Sequence, residues 1–304
     1  APLDCNDTFS VRDPYVMTKA CYAELYFSSK RVGGLGGEDL WVNKPNQKNW
    51  CCLECYGRFE YVSDGNGSWS PDRNLIAFTR SGGIHLVDSD GSNPRLLVPG
   101  SVPDGPAFSP DGKWLAFSMG LQIFRIKVDG DSLTQLTFTN ENFEPVWSPD
   151  GQKIAYVLRI SKTGDPWGIW IMTQDGSNKK FLVGGDYPHW SPDGSKLIFT
   201  CYPPSTWIEI CQLNLADSTV TLLTGLNGIV RSPRWSPDGS KIVFQFQSPT
   251  EGTPQIWVMN ADGTNLRQIT IGGGVDPDWS PDSQGIIYTD LRPSFGRLFI
   301  MNVN

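Results

Sequence analysis

Positive charge is scarce in this chain of 304 residues: 25 lysines and arginines face 32 aspartates and glutamates, a net charge of −7. Non-specific nucleic-acid binding needs a basic footprint, so nucleic acid is set aside as a partner. No apolar run approaches the roughly 20 residues of a spanning helix, so the chain is not read as membrane-spanning. Histidine is almost missing, with His85 and His189 alone. That argues against a metal centre built on several imidazoles, and His85, inside a strand pattern, reads as structural. No Gly-x-Ser-x-Gly elbow occurs, so no catalytic nucleophile is named and catalysis is not expected.

What the chain has is aromatic surface and turn formers: 12 Trp, 15 Phe, 9 Tyr, 32 Gly and 23 Pro. It also has a repeat. Trp147-Ser148-Pro149-Asp150-Gly151 recurs nearly unchanged from Trp69, Phe108, Trp190, Trp235 and Trp279, with successive spacings of 39, 39, 43, 45 and 44 residues. Such a period is that of four-stranded propeller blades. Each unit shows one order of elements. A first strand ends at the aromatic, Ser-Pro-Asp-Gly turns the chain, and an apolar strand follows, as in Lys196-Leu197-Ile198-Phe199-Thr200. After a variable loop comes a third strand such as Gln255-Ile256-Trp257-Val258-Met259, then a turn such as Asp262-Gly263 and a more polar fourth strand. The repeated aspartates read as caps of their own turns, and Asp88 to Asn93 reads as a hairpin rather than a calcium loop, lacking a spaced bidentate Glu.

The expected fold is all-β, a propeller of four-stranded antiparallel blades in a single domain, 1–304. Asp13-Pro14-Tyr15-Val16 and the strand Glu24 to Ser29 mimic the repeat without its turn, so residues 13–68 are taken as a degenerate, cysteine-rich seventh unit ahead of six repeats over 69–304. The last unit stops after its third strand. Residues 1–12 are therefore expected to supply its missing outer strand and close the ring. Seven blades are favoured. Six blades with an N-terminal cap is the alternative.

On these residues the chain resembles the TolB-type β-propellers, a WD40-like family, and the propeller domains of prolyl-oligopeptidase-type peptidases. Residues 24–43, with Phe27-Ser28-Ser29-Lys30-Arg31 and Gly33 to Trp41, resemble a variant common in bacterial envelope and extracellular proteins. The resemblance implies a fold and leaves the function open.

In such a ring the loops entering the first strand and those between the second and third share one face around the channel mouth. Near the first strands stand Asp13, Asp64, Asp104, Glu144, Asp186 and Asp276, with Arg231 as the exception and His189 nearby. A ring of carboxylates there would attract a basic peptide, an amine or a cation such as calcium, or simply keep the loops soluble. Trp167, Tyr202, Trp207 and Phe295 lie in the other loops, either as a platform for a sugar ring or peptide or folded back on their own blades. Cys201 and Cys211 sit on neighbouring strands and suit a disulfide. Cys5, Cys21, Cys51, Cys52 and Cys55 allow two more, with zinc as the competing reading of the last three. Sequons at Asn6 and Asn66, the cysteines and a start at Ala1 without Met fit a processed protein outside the cytoplasm, secreted or periplasmic, although a trimmed chain would look the same. The function expected is binding of a protein segment or glycan at the channel face. The alternatives are a carbohydrate-active enzyme using rim carboxylates and a structural subunit of an extracellular assembly.

Overall fold

The computed structural model describes residues 41–43, 50–52, 64–80, 82–100, 104–204, 207–291 and 297–303. Two short strands, β1 (Trp41–Asn43) and β2 (Trp50–Cys52), precede six sheets. Blade I holds β3 (Asp64–Trp69), β4 (Leu75–Arg80), β5 (Gly83–Asp88) and β6 (Arg95–Pro99). Blade II holds β7 (Asp104–Phe108), β8 (Trp114–Met119), β9 (Gln122–Lys127) and β10 (Thr134–Gln135). Blade III holds β11 (Glu141–Trp147), β12 (Lys153–Ile160), β13 (Gly168–Thr173) and β14 (Lys180–Val183). Blade IV holds β15 (Asp186–Trp190), β16 (Lys196–Cys201), β17 (Glu209–Asn214) and β18 (Val220–Leu222). Blade V holds β19 (Ile229–Trp235), β20 (Lys241–Gln247), β21 (Gln255–Asn260) and β22 (Arg267–Gln268). Blade VI holds β23 (Val275–Trp279), β24 (Gly285–Asp290) and β25 (Arg297–Asn302), with β1 and then β2 outside it.

The blades are antiparallel meanders, and the first strand of each touches the first strand of the next. The ring closes where β23 meets β3. There Ile287 and Ile300 of blade VI pack with Ile76, Phe78 and Val87 of blade I. That direct seam leaves no place for another sheet, so the seven-blade expectation is overturned and the six-blade alternative stands. The strand beside β25 is Trp41–Asn43, running parallel to it with Trp41 opposite Phe299. Residues 1–12, expected to fill that place, lie outside the described residues. Within the stretch 13–68 the described residues are β1, β2 and, from Asp64, the inner strand of blade I.

Each blade turns as its residues dictate. In blade III the Ser148 hydroxyl donates to Asp150 Oδ1 at 2.5 Å and accepts from Lys153 N at 2.9 Å, and Asp150 Oδ1 accepts from Gln152 N at 3.0 Å. The same Ser-to-Asp bond recurs at Ser70, Ser109, Ser191, Ser236 and Ser280. These aspartates cap their turns and are not a metal ring.

Packing then joins the blades. The fourth residue of each second strand is a buried aromatic: Phe78, Phe117, Tyr156, Phe199, Phe244 and Tyr288. Burying each contributes about 1.5–3 kcal/mol. Apolar clusters lie in the seams, as where Ala116, Ile123 and Leu136 of blade II meet Trp147, Ile154 and Tyr156 of blade III. Two motif tryptophans also bond across their seams: Trp190 Nε1 donates to Val146 O at 3.3 Å, and Trp279 Nε1 to Arg234 O at 3.1 Å.

Two turn glycines separate backbone strain from crowding. Gly151 has a φ of 69°, and a Cβ there would meet nothing nearer than Pro110 Cδ at 3.7 Å. Gly263 has a φ of 87°, but a Cβ would lie 2.5 Å from Leu223 O. Gly151→Ala is expected to cost about 1–2 kcal/mol, the left-handed backbone term alone. Gly263→Ala should cost about 1–3 kcal/mol more through overpacking. Urea denaturation of the two variants checks this, and equal losses would show that the crowding at Gly263 is relieved for free.

Candidate functional site at the channel mouth

Along each inner strand one residue is bulged out of register just before the motif aromatic. At that bulge Asn66, Gly105, Glu144, Tyr187, Ser232 and Asp276 all take positive φ, between 50° and 60°. Five of the six are not glycine, a strained choice that the ring imposes six times. The bulge sends these side chains along the ring. Glu144 Oε2 accepts from Tyr187 N at 2.7 Å, and Ser232 Oγ donates to Asp276 Oδ1 at 3.2 Å, each bond linking adjacent blades. The following residue, proline in five blades, is buried, whereas the next (Ser68, Ala107, Val146, His189, Arg234 and Asp278) is half-buried in all six. That alternation marks a row facing the central lumen.

The sequence-named carboxylates therefore occupy three registers rather than one circle. Asp64 and Asp104 open β3 and β7, Asp186 opens β15, and Glu144 and Asp276 sit on the bulge itself. Asp13 lies outside the described residues. Between blades III and IV the structure brings two carboxylates together. The Arg159 guanidinium pairs with Glu144 at 2.5 Å, and its Nε lies 3.6 Å from Asp186 Oδ1. The Tyr202 hydroxyl donates to Asp186 Oδ2 at 2.6 Å. Asp186 is only 7% exposed, and its Oδ1 faces Arg159 without accepting a hydrogen bond. Arg159 also lies over the Phe143 ring, 5.0 Å from its centroid. Burial pushes the Glu144 carboxyl up to about 7, with Asp186 adding to the rise, against the pull of Arg159 and of Tyr187 N. Burial, seconded by Glu144, pushes the Tyr187 phenol up to about 12.

Above this group stand two exposed aromatics. Trp167 and Tyr202 meet edge to face with ring centroids 5.3 Å apart, 40% and 48% exposed. Trp207 is half-buried in the same loop as Tyr202, and Phe295 lies outside the described residues. Arg231 is exposed on β19, and Asp276 is half-buried. His189 is not an open ligand: its Nδ1 accepts from Trp235 N at 3.2 Å, and burial, with Arg234 second, pushes the imidazole down to about 3. Lower in the lumen, burial lifts Asp278 to about 6 against the opposing pull of Arg234. His85, half-buried on β5, lies against Phe78 with ring centroids 5.6 Å apart. Among the described residues no group of three or more His, Cys, Asp or Glu is placed to hold a metal. The calcium reading therefore finds no ligand set there.

The loops of this face are pinned from below. Glu209 Oε2 accepts from Thr224 Oγ1 at 2.6 Å and Leu226 N at 3.1 Å, and Gln255 Oε1 from Thr270 Oγ1 at 2.9 Å and Gly273 N at 3.2 Å. Gln122 Nε2 donates to Asn140 O at 2.8 Å. The Cys201–Cys211 disulfide forms as expected and ties the base of the Tyr202 loop. The side chains of the remaining cysteines lie outside the described residues. Asn66 is half-buried on the innermost strand of blade I and already engaged. Sequence reasoning missed Arg159, Phe143 and Tyr187. Arg159 is the penultimate residue of the eight-residue β12, opposite the start of β11, where Glu141 pairs with Ile160, and nothing in the sequence marks it.

Two predictions follow from this geometry. A carboxyl raised from about 4.5 to about 7 by folding favours the folded state below pH 4.5, and that contribution is lost as pH rises through about 7. Glu144→Gln should remove this slope, gaining about 1–3 kcal/mol relative to the parent at pH 8. Thermal melts from pH 4 to 8 read it, and parallel curves for the two proteins would sink it. Replacing both Cys201 and Cys211 with Ser should cost about 2–3 kcal/mol in urea denaturation, whereas an unchanged midpoint would mean the bridge adds nothing.

The sequence profile of the TolB beta propeller domain matches residues 152–304. No curated protein matches the chain. Among solved structures it is similar to the putative TolB of Agrobacterium tumefaciens, at 23% identity and a TM-score of 0.61, covering 69% of this chain and 81% of that one. It is also similar to TolB of Acinetobacter baumannii, at 21% identity and a TM-score of 0.65, covering 79% of this chain but only 60% of that one. An oligogalacturonate lyase of Vibrio parahaemolyticus shares the fold at 14% identity and a TM-score of 0.58, with 84% and 80% covered. At such identities the likeness is one of fold alone.

Proposed function

The chain belongs to the TolB beta propeller domain family, and from that premise we propose that it is a binding propeller whose channel face takes an extended segment of a partner protein. The observation that carries this is the exposed Trp167–Tyr202 pair standing over the ion-paired Glu144–Arg159–Asp186 group. Rigid aromatic rings beside fixed hydrogen-bonding groups are what dominate binding energy at protein interfaces. Loops pinned by Glu209 and Gln255 lose little freedom on binding, which favours affinity. A location outside the cytoplasm, in the envelope or secreted, goes with this reading and is supported by the Cys201–Cys211 bridge.

A second reading is supported by one observation. A carboxyl near pH 7, Glu144, beside the second carboxylate Asp186 is the acid–base pairing of a carbohydrate-active enzyme. The similar fold of an oligogalacturonate lyase makes acidic oligosaccharides the natural substrates to try. Turnover abolished by Glu144→Gln would move the assignment to this second reading.

The binding reading is tested by selecting displayed random peptides on the parent protein and measuring their affinity for Trp167→Ala combined with Tyr202→Ala. The expected loss is at least about tenfold, the cost of removing an aromatic anchor, with an unchanged melting temperature. Peptides that bind parent and variant alike, or a selection that yields none, would remove the channel face as the binding surface.

A further inference from the structure

Between blades II and III lies a cleft of about 160 Å³ whose lining includes Phe138, Asn142, Tyr156, Asp165, Trp170 and Lys179. It has room for about five waters, or one small ring-shaped molecule. Two of its polar groups are unspent. Tyr156 is 1% exposed, and no hydrogen bond reaches its hydroxyl among the described residues, although burial and then the Asp165 charge both favour its protonated form. Asn142 is 2% exposed, and its Nδ2 donates to Thr139 O at 2.7 Å and Gln122 Oε1 at 3.4 Å, leaving Oδ1 without a donor. Neither oxygen is sealed from solvent, so both are open to a molecule entering the cleft.

The repeat shows that the Tyr156 hydroxyl is not demanded by the fold. At the same place in their second strands, blades I, II, IV and V carry Phe78, Phe117, Phe199 and Phe244, all equally buried. Only the oxygen distinguishes Tyr156 from those four.

We propose that this cleft is a binding site for a neutral, hydroxyl-bearing ring the size of a single sugar unit. Its chemistry is that of such a ligand. Trp170 and the 73% exposed Phe138 offer aromatic surface for the apolar face of a ring. Asn142 Oδ1 and the Tyr156 hydroxyl offer an acceptor and a donor for adjacent hydroxyl groups. Asp165 is held by Asn140 Nδ2 at 3.0 Å and by Thr163, and Lys179 Nζ donates to Gly176 O, so both charged groups at the cleft are already engaged. The site is independent of the channel-face reading, although the 161–167 loop serves both: Asp165 lines the cleft and Trp167 stands at the mouth.

Saturation-transfer NMR with the methyl glycosides of glucose, galactose, mannose and N-acetylglucosamine, each at about 10 mM, is the test, since one ring in a small site binds in the millimolar range. At least one glycoside should give a saturable signal, and Tyr156→Phe should weaken its binding about five- to tenfold, the loss of one hydrogen bond. That variant restores the residue of four sister blades and so keeps its melting temperature. A signal from none of the four would mean the cleft holds water only and would overturn the proposal. So would binding that Tyr156→Phe leaves unchanged, because the sugar would then sit elsewhere.

Discussion

The structure depends on the fact that a blade cannot bury its own faces. A four-stranded sheet has two sides, and the second-strand residues of each blade alternate between the seam behind and the seam ahead: Tyr156 packs towards blade II while Ala155 and Val157 pack towards blade IV. Every sheet therefore needs two neighbours, and the only arrangement in which none lacks one is a closed ring. Closure is a packing result before it is a hydrogen-bonding one. Ile287 and Ile300 reach Ile76 and Phe78 whatever lies outside β25, so the added strand β1 protects an edge of a ring that its seams already complete.

From that closure follows the division of labour between the two faces. The Ser-Pro-Asp turns at one end are the same six times because each solves the same local problem with the same four atoms, as Ser148 and Asp150 do. The other end has no common solution. Its loops differ in length and are fixed individually, by Glu209 in blade IV, by Gln255 in blade V and by the disulfide at Cys201. Variable loops on a rigid frame are where binding surfaces arise. The bulge before each proline adds a strained backbone position to every inner strand, and the side chains of Glu144 and Ser232 use it to join one blade to the next.

What could be read from the residues alone was whatever is local. The turns, the strand order and the Cys201–Cys211 pairing are set by neighbours a few residues apart, and all of them appear in the structure. The blade number is not local. Asp13-Pro14-Tyr15-Val16 has the shape of a first strand, but whether a sheet fits between blades VI and I depends on the angle at six seams, which no single repeat encodes. The carboxylates illustrate a second limit. Counted along the sequence they form one ring, but the bulge shifts the pleat by one residue, so Asp186 and Glu144 lie at different registers and meet through Arg159 instead. Arg159 itself went unread because it stands at the end of a strand, where a lone arginine signals nothing.

A repeat protein carries its own control, since each blade states what the fold requires at a position and any exception needs another cause. Three residues after the buried aromatic of the second strand, the six units place Ser81, Gly120, Arg159, Tyr202, Gln247 and Leu291. No fold requirement is visible in that set. Yet its two largest polar members fall in adjacent blades, and both converge on Asp186, one through an ion pair and one through a hydroxyl. The buried aromatic itself is conservative by comparison, and among its six occurrences Tyr156 places an unpartnered hydroxyl in a cleft. Both departures touch blade III. Two departures from the repeat therefore meet on one side of the ring, around the 161–167 loop.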